Sequence, residues 1–522
     1  MLNTLAKRTL GEVLRYHARQ TPDAPALISD GRRLSWAELD DEVDRLSAHL
    51  LSLGIGPGEA VGFLLTKRPE VVTGFLACAR IGAVMAPINF KLTADRLRDQ
   101  LETGKISAIF TESQHDEILR ALLPLIPDPR RILYVDTPAR YGESTYADAM
   151  ARPSGPPTLP REVLPGDTCY FNYTSGTTGR PKGAIATHRN ILFNALTAFD
   201  RPEAEGLGFD GTHVFLGMFS VFAHPHELFH RSLLCGGPFV ILDTLSPRVV
   251  CEAIARHRVS WMMAVPSFYE MMQDHLSTGG RHDLSSLRVL ESGGAYVGED
   301  ALERMERCFG AAFMPVWGST ETTGVAVALR PDRPRRPGTT GRPVPGYEVR
   351  AVDHLGRDVA PGEVGELIVR GEAVVPGYIN QPEETAALFV DGWYHTQDLV
   401  TWTEDGFLRF VGRRSEMLKI GGIRVYPLEI EQVVAAHPDV REVVVVRAEE
   451  RIRGEVPRAI LRTAPDSTLN VRKLRRYLRD RLAVYQIPRI VEFWREIPHL
   501  PNGKIDKAAV LAVPPDPDRD ER

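Results

Sequence analysis

Residues 173–183 read YTSGTTGRPKG and directly follow a short strand-like segment at 168–172. The glycines allow backbone N–H groups to approach phosphate oxygens, the hydroxyls donate further hydrogen bonds, and Lys182 supplies positive charge. The P-loop pattern does not fit, because two residues separate Gly179 from Lys182 and no hydroxyl residue follows the lysine. Composition alone is also compatible with a surface linker. The order of residues favours a phosphate-binding loop of a different nucleotide-binding class.

Strand and helix patterns alternate on both sides of this loop. Ser35 and Glu38 form a capping-box pattern before an amphipathic helix, and helical segments are also expected at 69–80 and 247–256. The strand-like runs are 60–65, 84–88, 108–110, 132–135, 239–242, 261–265 and 288–290. This alternation predicts the α/β class with parallel sheets, whose ligands gather at the carboxyl ends of the strands.

The sequence pattern changes after Gly338. From there on, short strand-like runs separated by Gly and Pro predict a β-rich subdomain. The last hundred residues predict a small α+β unit. We therefore expect a large N-terminal adenylation domain of several subdomains at 1–411, a hinge at 412–416 and a small mobile C-terminal domain at 417–522. The tail at 514–522 is rich in Pro and charge and is expected to be disordered.

Composition limits the classes of function. With 522 residues and 43% hydrophobic content the chain is expected to form at least two globular domains. The net charge of -5 lacks the basic footprint of a nucleic-acid binder. Five scattered cysteines, the absence of a signal-peptide pattern and the absence of a long apolar run predict a cytoplasmic protein with reduced thiols and no membrane span.

Four further segments follow the loop in a fixed order: WGSTE at 317–321, YHTQD at 394–398, GRRS at 412–415 and PNGKIDK at 501–507. With TSGTTGRPKG they resemble the motifs of the acyl-adenylate-forming superfamily, which includes acyl-CoA synthetases, firefly-type luciferases and the adenylation domains of non-ribosomal peptide synthetases. The resemblance covers essentially the whole chain and is strongest to acyl-CoA synthetases. It implies ATP-dependent and Mg²⁺-dependent conversion of a carboxylic acid to acyl-AMP with release of pyrophosphate, followed by transfer of the acyl group to coenzyme A.

The resemblance also implies residue roles. Lys182, Thr320, Glu321 and Lys504 would be catalytic, and Glu321 would also hold Mg²⁺, a hard cation that prefers oxygen ligands. Positive charge from the lysines would stabilise the transition state between two anions. The nucleotide would contact Thr174, Ser175, Gly176, Thr177, Thr178, Gly179, Gly293, Gly294, Ala295, Trp317, Gly318, Asp398 and Arg413. Coenzyme A would contact Lys419, Gly421 and Gly422, and the acyl pocket would include Ser220, Phe222, His224 and Tyr296.

Three positions depart from the family pattern. Gln397 replaces the glycine of Y-x-T-G-D, which raises the question of the backbone conformation at that residue. Ser415 stands where the hinge residue is usually Asp or Lys, and Ser220 stands where an aromatic-His pair usually has its histidine. Aromatic and sulphur-containing residues in this region, including Trp261 and Met263, favour an apolar acid, either aromatic or of medium chain length.

Alternatives remain at this point. HELFH at 226–230 is a literal zinc-protease signature whose two histidines are expected on one helical face. A ligase that charges the phosphopantetheine of a separate acyl carrier protein would use the same motifs as a CoA ligase. A non-catalytic nucleotide-binding homologue is disfavoured by the retained lysines and carboxylates. The expected partners are a small-molecule carboxylic acid and a carrier protein under the second alternative, and the chain is expected to be a monomer or homodimer.

Overall fold

The computed structural model describes most of the chain. The described residues are 1–29, 31–137, 139–174, 182–197, 213–218, 220–222, 224–244, 246–294, 297–330, 335–336, 338–450, 454–464, 466–499, 505–516 and 518–521. Two compact units are formed. The first comprises Met1–Arg335, Gly341–Glu348 and Val369–Tyr394, and the second comprises Arg336–Thr340, Val349–Ile368 and His395–Arg522. The predicted hinge at 412–416 lies within the second unit and stays a prediction.

The N-terminal part of the chain alternates helices and strands up to residue 197. Its elements are α1 Leu2–Leu5, α2 Leu10–Gln20, β1 Pro25–Ser29, β2 Arg32–Ser35, α3 Trp36–Ser52, β3 Ala60–Leu64, α4 Pro69–Ile81, β4 Val84–Pro87, α5 Ala94–Gly104, β5 Ile106–Thr111, α6 Asp116–Leu122, β6 Ile132–Tyr134, β7 Ser144–Thr145, α7 Tyr146–Met150, β8 Thr168–Thr174, β9 Lys182–Thr187 and α8 His188–Thr197.

The middle of the chain continues the alternation. Its elements are β10 Phe215–Gly217, α9 His230–Cys235, β11 Phe239–Val240, α10 Pro247–His257, β12 Trp261–Ala264, α11 Pro266–Ser277, β13 Val289–Ser292, α12 Glu299–Phe309, β14 Ala312–Ser319, β15 Gly324–Ala328 and β16 Arg342–Pro343.

The remaining part is rich in strands until the last helices. Its elements are β17 Tyr347–Val352, β18 Gly365–Gly371, α13 Pro382–Leu388, β19 Phe389–Val390, β20 Trp393–Trp402, β21 Leu408–Arg413, β22 Leu418–Ile420, β23 Ile423–Val425, α14 Pro427–Ala435, β24 Val440–Glu450, β25 Gly454–Thr463, α15 Val471–Arg479, β26 Ile490–Phe493 and α16 Lys507–Ala512.

Four sheets organise these strands. A nine-stranded sheet has the order β16-β15-β14-β13-β12-β10-β11-β1-β2, and a seven-stranded sheet has the order β7-β6-β5-β3-β4-β8-β9. A five-stranded sheet has the order β17-β18-β20-β19 with β21 paired to β20, and the last has the order β23-β22-β25-β24 with β26 paired to β25. Within the first two sheets the strands from β3 to β8 and from β10 to β14 pair in parallel, which confirms the predicted α/β class.

Apolar packing on these sheets forms the cores of the two units. Strands β10–β14 pack against α10, α11 and α12, and strands β3–β6 pack against α5 and α6. In the second unit, β22–β26 pack against α14 and α15.

The predicted capping box of α3 is confirmed, because Ser35 Oγ accepts from the Glu38 N–H and the Glu38 carboxylate accepts from the Ser35 N–H.

The prediction of a disordered tail was wrong for the described residues after 514. The Phe493 N–H donates to the Arg519 carbonyl over 3.1 Å, and the Glu521 N–H donates back to the Phe493 carbonyl over 2.8 Å. Arg519 also pairs with the buried Glu492 carboxylate over 3.5 Å. The tail therefore satisfies backbone groups at the end of β26, which its Pro-rich composition did not indicate.

In the described residues we find no helix with the length and apolar character of a membrane span.

Candidate active site

The candidate site of the first unit lies at the carboxyl edge of its nine-stranded sheet. Gly217 at the end of β10 is in register with Met263 of β12, and Ala264 at the end of β12 is in register with Ser292 of β13. Parallel strands bring the segments that follow them to one edge of the sheet. The segments after these strands include Ser220–His230 and the glycines after Ser292, where the sequence placed pocket and nucleotide residues.

The phosphate loop connects two antiparallel strands. Strand β8 precedes it as predicted, and Thr174 at the end of β8 pairs with Lys182 at the start of β9. Ser175, Gly176, Thr177, Thr178, Gly179 and the side chain of Thr174 lie outside the described residues, so their roles stay predictions. The strand pairing fixes Lys182 at the point where the chain returns from the loop.

Glu321 lies in a tight turn between β14 and β15. The Ser319 N–H donates to Thr322 Oγ1 over 2.9 Å, which closes the turn. The Glu321 side chain is buried, with 7% of its residue surface exposed, and its carboxylate accepts from the Tyr378 hydroxyl over 2.7 Å. The Val375 N–H donates to the Glu321 carbonyl over 2.8 Å. Both the backbone and the carboxylate of Glu321 are therefore held in place.

Tyr378 connects the two charged residues of the candidate site and was missed by the sequence analysis. Its ring centroid lies 5.5 Å from Lys182 Nζ, and its hydroxyl donates to Glu321. Burial, the Glu321 charge and the hydrogen bond to Glu321 all raise the pKa of Tyr378, so it remains a protonated donor. No local pattern signals this role, because Tyr378 is 57 positions from Glu321 in the chain.

The surroundings of Glu321 suit a hard cation. A Mg²⁺ ion bound to a triphosphate takes most of its ligands from phosphate and water, so one protein carboxylate is a sufficient anchor. Among the described residues there is no cluster of three or more side chains that could bind a metal by themselves. The donor set therefore fits a cation that arrives with the nucleotide.

The segment that carries HELFH contacts the turn around Glu321. His224 Nε2 lies 3.4 Å from Thr320 Oγ1, and His226 Nε2 donates to the Thr323 carbonyl over 3.2 Å. Thr323 has a φ of 55°, a left-handed conformation that this hydrogen bond helps to hold. Burial lowers the pKa of His226 to about 4, so this imidazole is neutral. These contacts bring His224, a predicted pocket residue, to Thr320.

The prediction that His226 and His230 share one helical face was wrong. Pro225–Leu228 forms a 3₁₀ turn, and α9 begins only at His230 after an irregular residue, Phe229. Two separate short helices replace the single helix that the spacing of the histidines requires for joint metal binding. Their rings instead meet edge to face, with centroids 5.3 Å apart.

Glycines allow close backbone approach where the nucleotide is expected. A Cβ atom at Gly318 would lie 2.2 Å from the Gly324 carbonyl oxygen, and Gly294 has a φ of 90°. Gly293 is less constrained, since its nearest neighbour would be a Val316 methyl group at 3.1 Å. Trp317 is largely buried in β14, and Ala295 lies outside the described residues.

A small cavity beneath this edge is the candidate acyl pocket. Its apolar wall is formed by Phe215, Leu228, Phe229, Trp261 and Met263, and Glu227 and Arg231 add polar groups. The predicted pocket residues Ser220, Phe222 and His224 do not line this cavity. Ser220 has a buried hydroxyl without a hydrogen-bond partner among the described residues, and the Phe222 ring packs edge to face on Phe90 at 5.5 Å. Tyr296 lies outside the described residues.

A buried polar cluster lies at this cavity, and the sequence analysis missed it. Arg231 forms a two-bond ion pair with Glu291, which also accepts from Trp261 Nε1 over 2.9 Å. Glu227 stands next to this pair. Burial raises the pKa of Glu227 to about 8, the Arg231 charge opposes that rise and the Glu291 charge adds to it. Glu227 is therefore mainly protonated at neutral pH.

We predict that Glu227→Gln stabilises the protein increasingly as pH rises from about 4.5 to 8. In this window the folded state keeps a proton on Glu227 that the unfolded state, with an ordinary pKa of 4.5, has lost. The wild type therefore loses stability relative to the variant across the window and no further above it. Urea unfolding of both proteins at pH 4.5, 6.5 and 8 measures the difference, with the exposed Glu404→Gln as the control substitution. Parallel stability curves would contradict the assignment.

In the second unit, Asp398 and Arg413 are brought together by strand pairing. They are opposite residues of β20 and β21, and Arg413 Nε lies 3.2 Å from Asp398 Oδ1. Asp398 is buried whereas Arg413 is exposed. The neighbouring Gln397 has a φ of 62°, which is the left-handed conformation that glycine adopts most easily, and its N–H donates to Glu366 over 3.1 Å.

We predict that Gln397→Gly raises the free energy of unfolding by roughly 0.5–1 kcal/mol. Relief of a left-handed side-chain clash outweighs the extra backbone entropy that glycine loses on folding. Chemical denaturation measures this change. The matched control is Gln432→Gly within α14, where right-handed backbone makes glycine destabilising by about 1 kcal/mol. Destabilisation at both sites would show that residue 397 gains nothing from glycine.

The predicted coenzyme A residues form an exposed β-hairpin. Ile420 of β22 pairs with Ile423 of β23, and Gly421 and Gly422 between them have φ values of 57° and 87°. Two consecutive positive φ values are typical of a type I′ turn. A Cβ atom at either glycine would meet no atom within 4 Å. The Lys419 N–H donates to Glu455 over 2.7 Å, which anchors the base of the hairpin.

The structure describes the predicted hinge residue but not the predicted catalytic lysine near the C-terminus. Ser415 lies in a 3₁₀ turn, Arg414–Glu416, and its carbonyl accepts from Arg447 over 2.5 Å. Lys504 lies outside the described residues. Lys507 Nζ, three positions later, pairs with Glu416 over 2.6 Å.

Comparison with known proteins decides the family. Residues 14–379 match the AMP-binding enzyme family, and residues 429–504 match the AMP-binding enzyme C-terminal domain. The chain belongs to the AMP-binding enzyme family. This AMP-binding enzyme is 35% identical over 504 residues to a feruloyl-CoA synthase from Amycolatopsis sp, covering 94% of this chain and 96% of the relative.

Other relatives of this AMP-binding enzyme differ in substrate and acceptor. An indoleacetate–CoA ligase from Aromatoleum aromaticum is 32% identical, with 95% of this chain and 96% of the relative covered. A fatty acid–[acyl-carrier-protein] ligase from Streptomyces coeruleorubidus is 30% identical, with 95% of each chain covered. The structure of an anthranilate CoA ligase in complex with anthranoyl-AMP shares the fold, with a TM-score of 0.87, 24% identity and 98% of both chains covered.

These relationships confirm the predicted superfamily, the fold class and the class of acid–thiol ligase. The AMP-binding enzyme activates a carboxylic acid as acyl-AMP and transfers the acyl group to coenzyme A. The roles of individual residues are not decided by these relationships and stay predictions.

Proposed function

We propose that this AMP-binding enzyme is a CoA ligase for an aromatic carboxylic acid. The observation that carries the proposal is the cavity walled by Phe215, Phe229, Trp261 and Met263, because flat apolar side chains favour an aromatic ring over a polar acid. The relatives named feruloyl-CoA synthase and indoleacetate–CoA ligase, whose names contain aromatic acids, support this choice.

In the first proposed step, a carboxylate oxygen of the acid attacks the α-phosphorus of ATP. The bond from that phosphorus to the bridging oxygen breaks, and pyrophosphate leaves with the electron pair. Lys182 and Lys504 would stabilise the negative charge that accumulates on the phosphate oxygens, and Glu321, held by Tyr378, would anchor the Mg²⁺ that accompanies the nucleotide. Asp398 would accept from the ribose hydroxyls.

In the second proposed step, the thiolate of coenzyme A attacks the carbonyl carbon of acyl-AMP, and AMP leaves with the electrons of the cleaved acyl–oxygen bond. We propose that the hairpin of Gly421 and Gly422 lines the path of the pantetheine arm. The smooth, side-chain-free tip of that hairpin supports the assignment. A rotation of the C-terminal domain about residues 412–416 would exchange Lys504 for this hairpin between the steps.

We predict that Gly422→Trp lowers thioester formation at least about 10-fold while acid-dependent pyrophosphate release persists, because the indole would obstruct the arm and not the nucleotide. Gly422→Asn is the control, since asparagine tolerates a left-handed backbone without the bulk. Single-turnover formation of acyl-AMP and of thioester separates the steps. Equal loss of both steps in the Trp variant would reject the tunnel assignment.

The proposal also covers the acyl acceptor, the cellular location and the oligomeric state of the enzyme. The carrier-protein ligase among the relatives makes carrier phosphopantetheine the rival acceptor, so the assay needs a coenzyme A arm and a carrier-protein arm. We propose a cytoplasmic enzyme, supported by the absence of a disulfide among the five cysteines, all of which lie in described segments. The enzyme is proposed to act as a monomer or homodimer.

The test is a screen of carboxylic acids for acid-dependent pyrophosphate release. Aromatic acids should exceed straight-chain acids of equal carbon number by at least about 10-fold in kcat/KM. The reason is that a pocket walled by aromatic side chains fits a flat ring better than a flexible chain. A preference for straight-chain acids would reject the aromatic proposal.

A further inference from the structure

Helix α15 has one buried face and one exposed basic face. Leu474 and Leu478 are fully buried in the core of the second unit. Arg472, Arg476 and Arg479 follow one another at spacings of four and three residues, which places them on one stripe of the helix, opposite the two leucines. All three arginines are exposed. They form a row about 10 Å long, because each residue advances an α-helix by about 1.5 Å.

This row carries charge that the rest of the segment does not neutralise. Residues 471–482 contain six basic residues and one acidic residue, in a chain whose net charge is -5. The neighbours of the row are occupied, since the Lys473 ammonium donates to the Thr468 carbonyl over 2.9 Å and Arg475 donates to the Arg489 carbonyl over 2.6 Å. Within the described chain, by contrast, no carboxylate pairs with any arginine of the row. Adjacent like charges repel one another, so an anionic partner relieves that repulsion.

An exposed apolar tip follows the helix in the chain. Val484 is 83% exposed and Tyr485 is 39% exposed, and Val484 is the most exposed of the large apolar side chains that the structure describes. A turn presents both residues, because the Gln486 N–H donates to the Ala483 carbonyl over 2.9 Å and the Ala483 N–H donates to Gln486 Oε1 over 3.0 Å. Gln486 Nε2 also donates to Glu429 of α14 over 2.9 Å. The tip is therefore anchored to the domain and leaves apolar area in water, which a partner with an apolar phase can cover.

We propose that the α15 surface, which consists of Arg472, Arg476, Arg479, Val484 and Tyr485, binds to membranes that contain anionic phospholipids. Guanidinium groups bind phosphate oxygens through paired hydrogen bonds. Tyrosine and aliphatic side chains favour the region between the headgroups and the acyl chains. A cluster of basic residues beside apolar side chains is typical of peripheral binding to an anionic lipid surface. The inference goes beyond the proposed catalytic function and does not depend on the identity of the acid.

Other anionic partners match the α15 surface less well. A nucleic acid and the phosphates of coenzyme A could both bind the arginines, since they share the phosphate chemistry of a lipid headgroup. Neither provides an apolar phase for Val484 and Tyr485. A bilayer supplies phosphate groups and acyl chains side by side, so it covers both parts of the surface at once.

The first experiment measures co-sedimentation of the full-length protein with lipid vesicles. One set of vesicles contains phosphatidylcholine only, and the other contains phosphatidylcholine and phosphatidylglycerol in equal amounts. We expect at least about 10-fold tighter binding to the anionic vesicles at low ionic strength, because the arginines are attracted only by the anionic headgroups. Added salt should weaken this binding through screening. Equal binding to both sets, or binding to neither set, would overturn the inference.

Arginine variants test whether this surface is responsible for the binding. The triple variant Arg472→Gln, Arg476→Gln and Arg479→Gln removes three charges and keeps good helix formers in α15. Its binding to anionic vesicles should fall at least about 10-fold, towards the level on phosphatidylcholine. The matched control makes the same change at three exposed arginines outside the surface, Arg304, Arg441 and Arg495. Equal losses in the two variants would show that the net charge of the chain determines binding, and would overturn the inference.

A further variant tests the apolar tip. Val484→Ser and Tyr485→Ser together should weaken binding to anionic vesicles at least about threefold, because the apolar contact with the acyl chains is lost. The binding that remains should be more sensitive to salt, since only the charges contribute to it. Unchanged binding would overturn the role of the tip and, with it, the choice of lipid over a free phosphate ligand.

Steady-state kinetics without vesicles distinguish the lipid from coenzyme A as the partner. If lipid is the partner, KM for coenzyme A in the triple arginine variant should match that of the wild type, and the retained activity shows that the variant is folded. A rise in this KM would assign the arginines to the phosphates of coenzyme A and overturn the inference. Acid-dependent pyrophosphate release without vesicles tests the proposed catalytic function separately, so the two proposals fail independently.

Discussion

Glu321→Gln should lower kcat/KM for MgATP in acid-dependent pyrophosphate release by on the order of 10²–10³. The substitution keeps the size of the side chain and its capacity to accept from Tyr378, but removes the negative charge proposed to anchor the cation. Residues 319–323 contain no carboxylate other than that of Glu321, so no side chain of the turn can replace it. Steady-state kinetics at varied Mg²⁺ and fixed ATP measure the effect, and the variant should need more Mg²⁺ for half-maximal rate.

Tyr378→Phe is the matched control for Glu321→Gln. It removes the hydrogen bond to Glu321 but keeps the aromatic ring that Lys182 contacts. We expect a loss of about 10-fold, since the carboxylate keeps its charge and loses only one positioning contact. An activity of Glu321→Gln within about threefold of wild type at low Mg²⁺ would refute the role of Glu321.

Lys504→Ala should reduce acyl-AMP formation by on the order of 10²–10³ while thioester formation from added acyl-AMP remains near wild type. The physical reason is that one positive charge disappears from the step in which two anions meet, whereas the second step attacks a neutral carbonyl. The two half-reactions are measured separately, the first by pyrophosphate release without coenzyme A and the second with synthetic acyl-AMP.

Lys507→Ala provides the control for Lys504→Ala, because it removes a nearby lysine of the same segment. Lys507 pairs with Glu416 and lies 3.8 Å from Glu431, so its loss should affect stability more than catalysis. Equal effects of the two substitutions on acyl-AMP formation would argue against a specific role of Lys504.

The sequence predicted those parts of the fold and site that local patterns encode. The capping box of α3 and the strand before the phosphate loop both depend on neighbouring residues. The sequence also raised the question of the backbone conformation at Gln397, where the family pattern has glycine. The backbone of Gln397 is indeed left-handed in the structure. Short-range conformational preferences are readable from one sequence because they involve few residues.

Contacts between distant segments were not predictable in this way. Tyr378 contacts Glu321 across 57 positions, and Arg231 pairs with Glu291 across 60, although neither pair has a spacing that a periodic pattern could indicate. The helical reading of HELFH failed because the period of the histidines carries no information about the 3₁₀ turn that begins at Pro225. Tertiary packing decided these cases, and it overrides local propensity.

The most direct test of the central claim is product analysis of the purified enzyme with MgATP, coenzyme A and the aromatic acid that the screen finds to be the best substrate. We expect equimolar acyl-CoA thioester, AMP and pyrophosphate, with acyl-AMP as the product when coenzyme A is omitted. Formation of ADP and phosphate, or the absence of acyl-AMP across the acid panel, would contradict it.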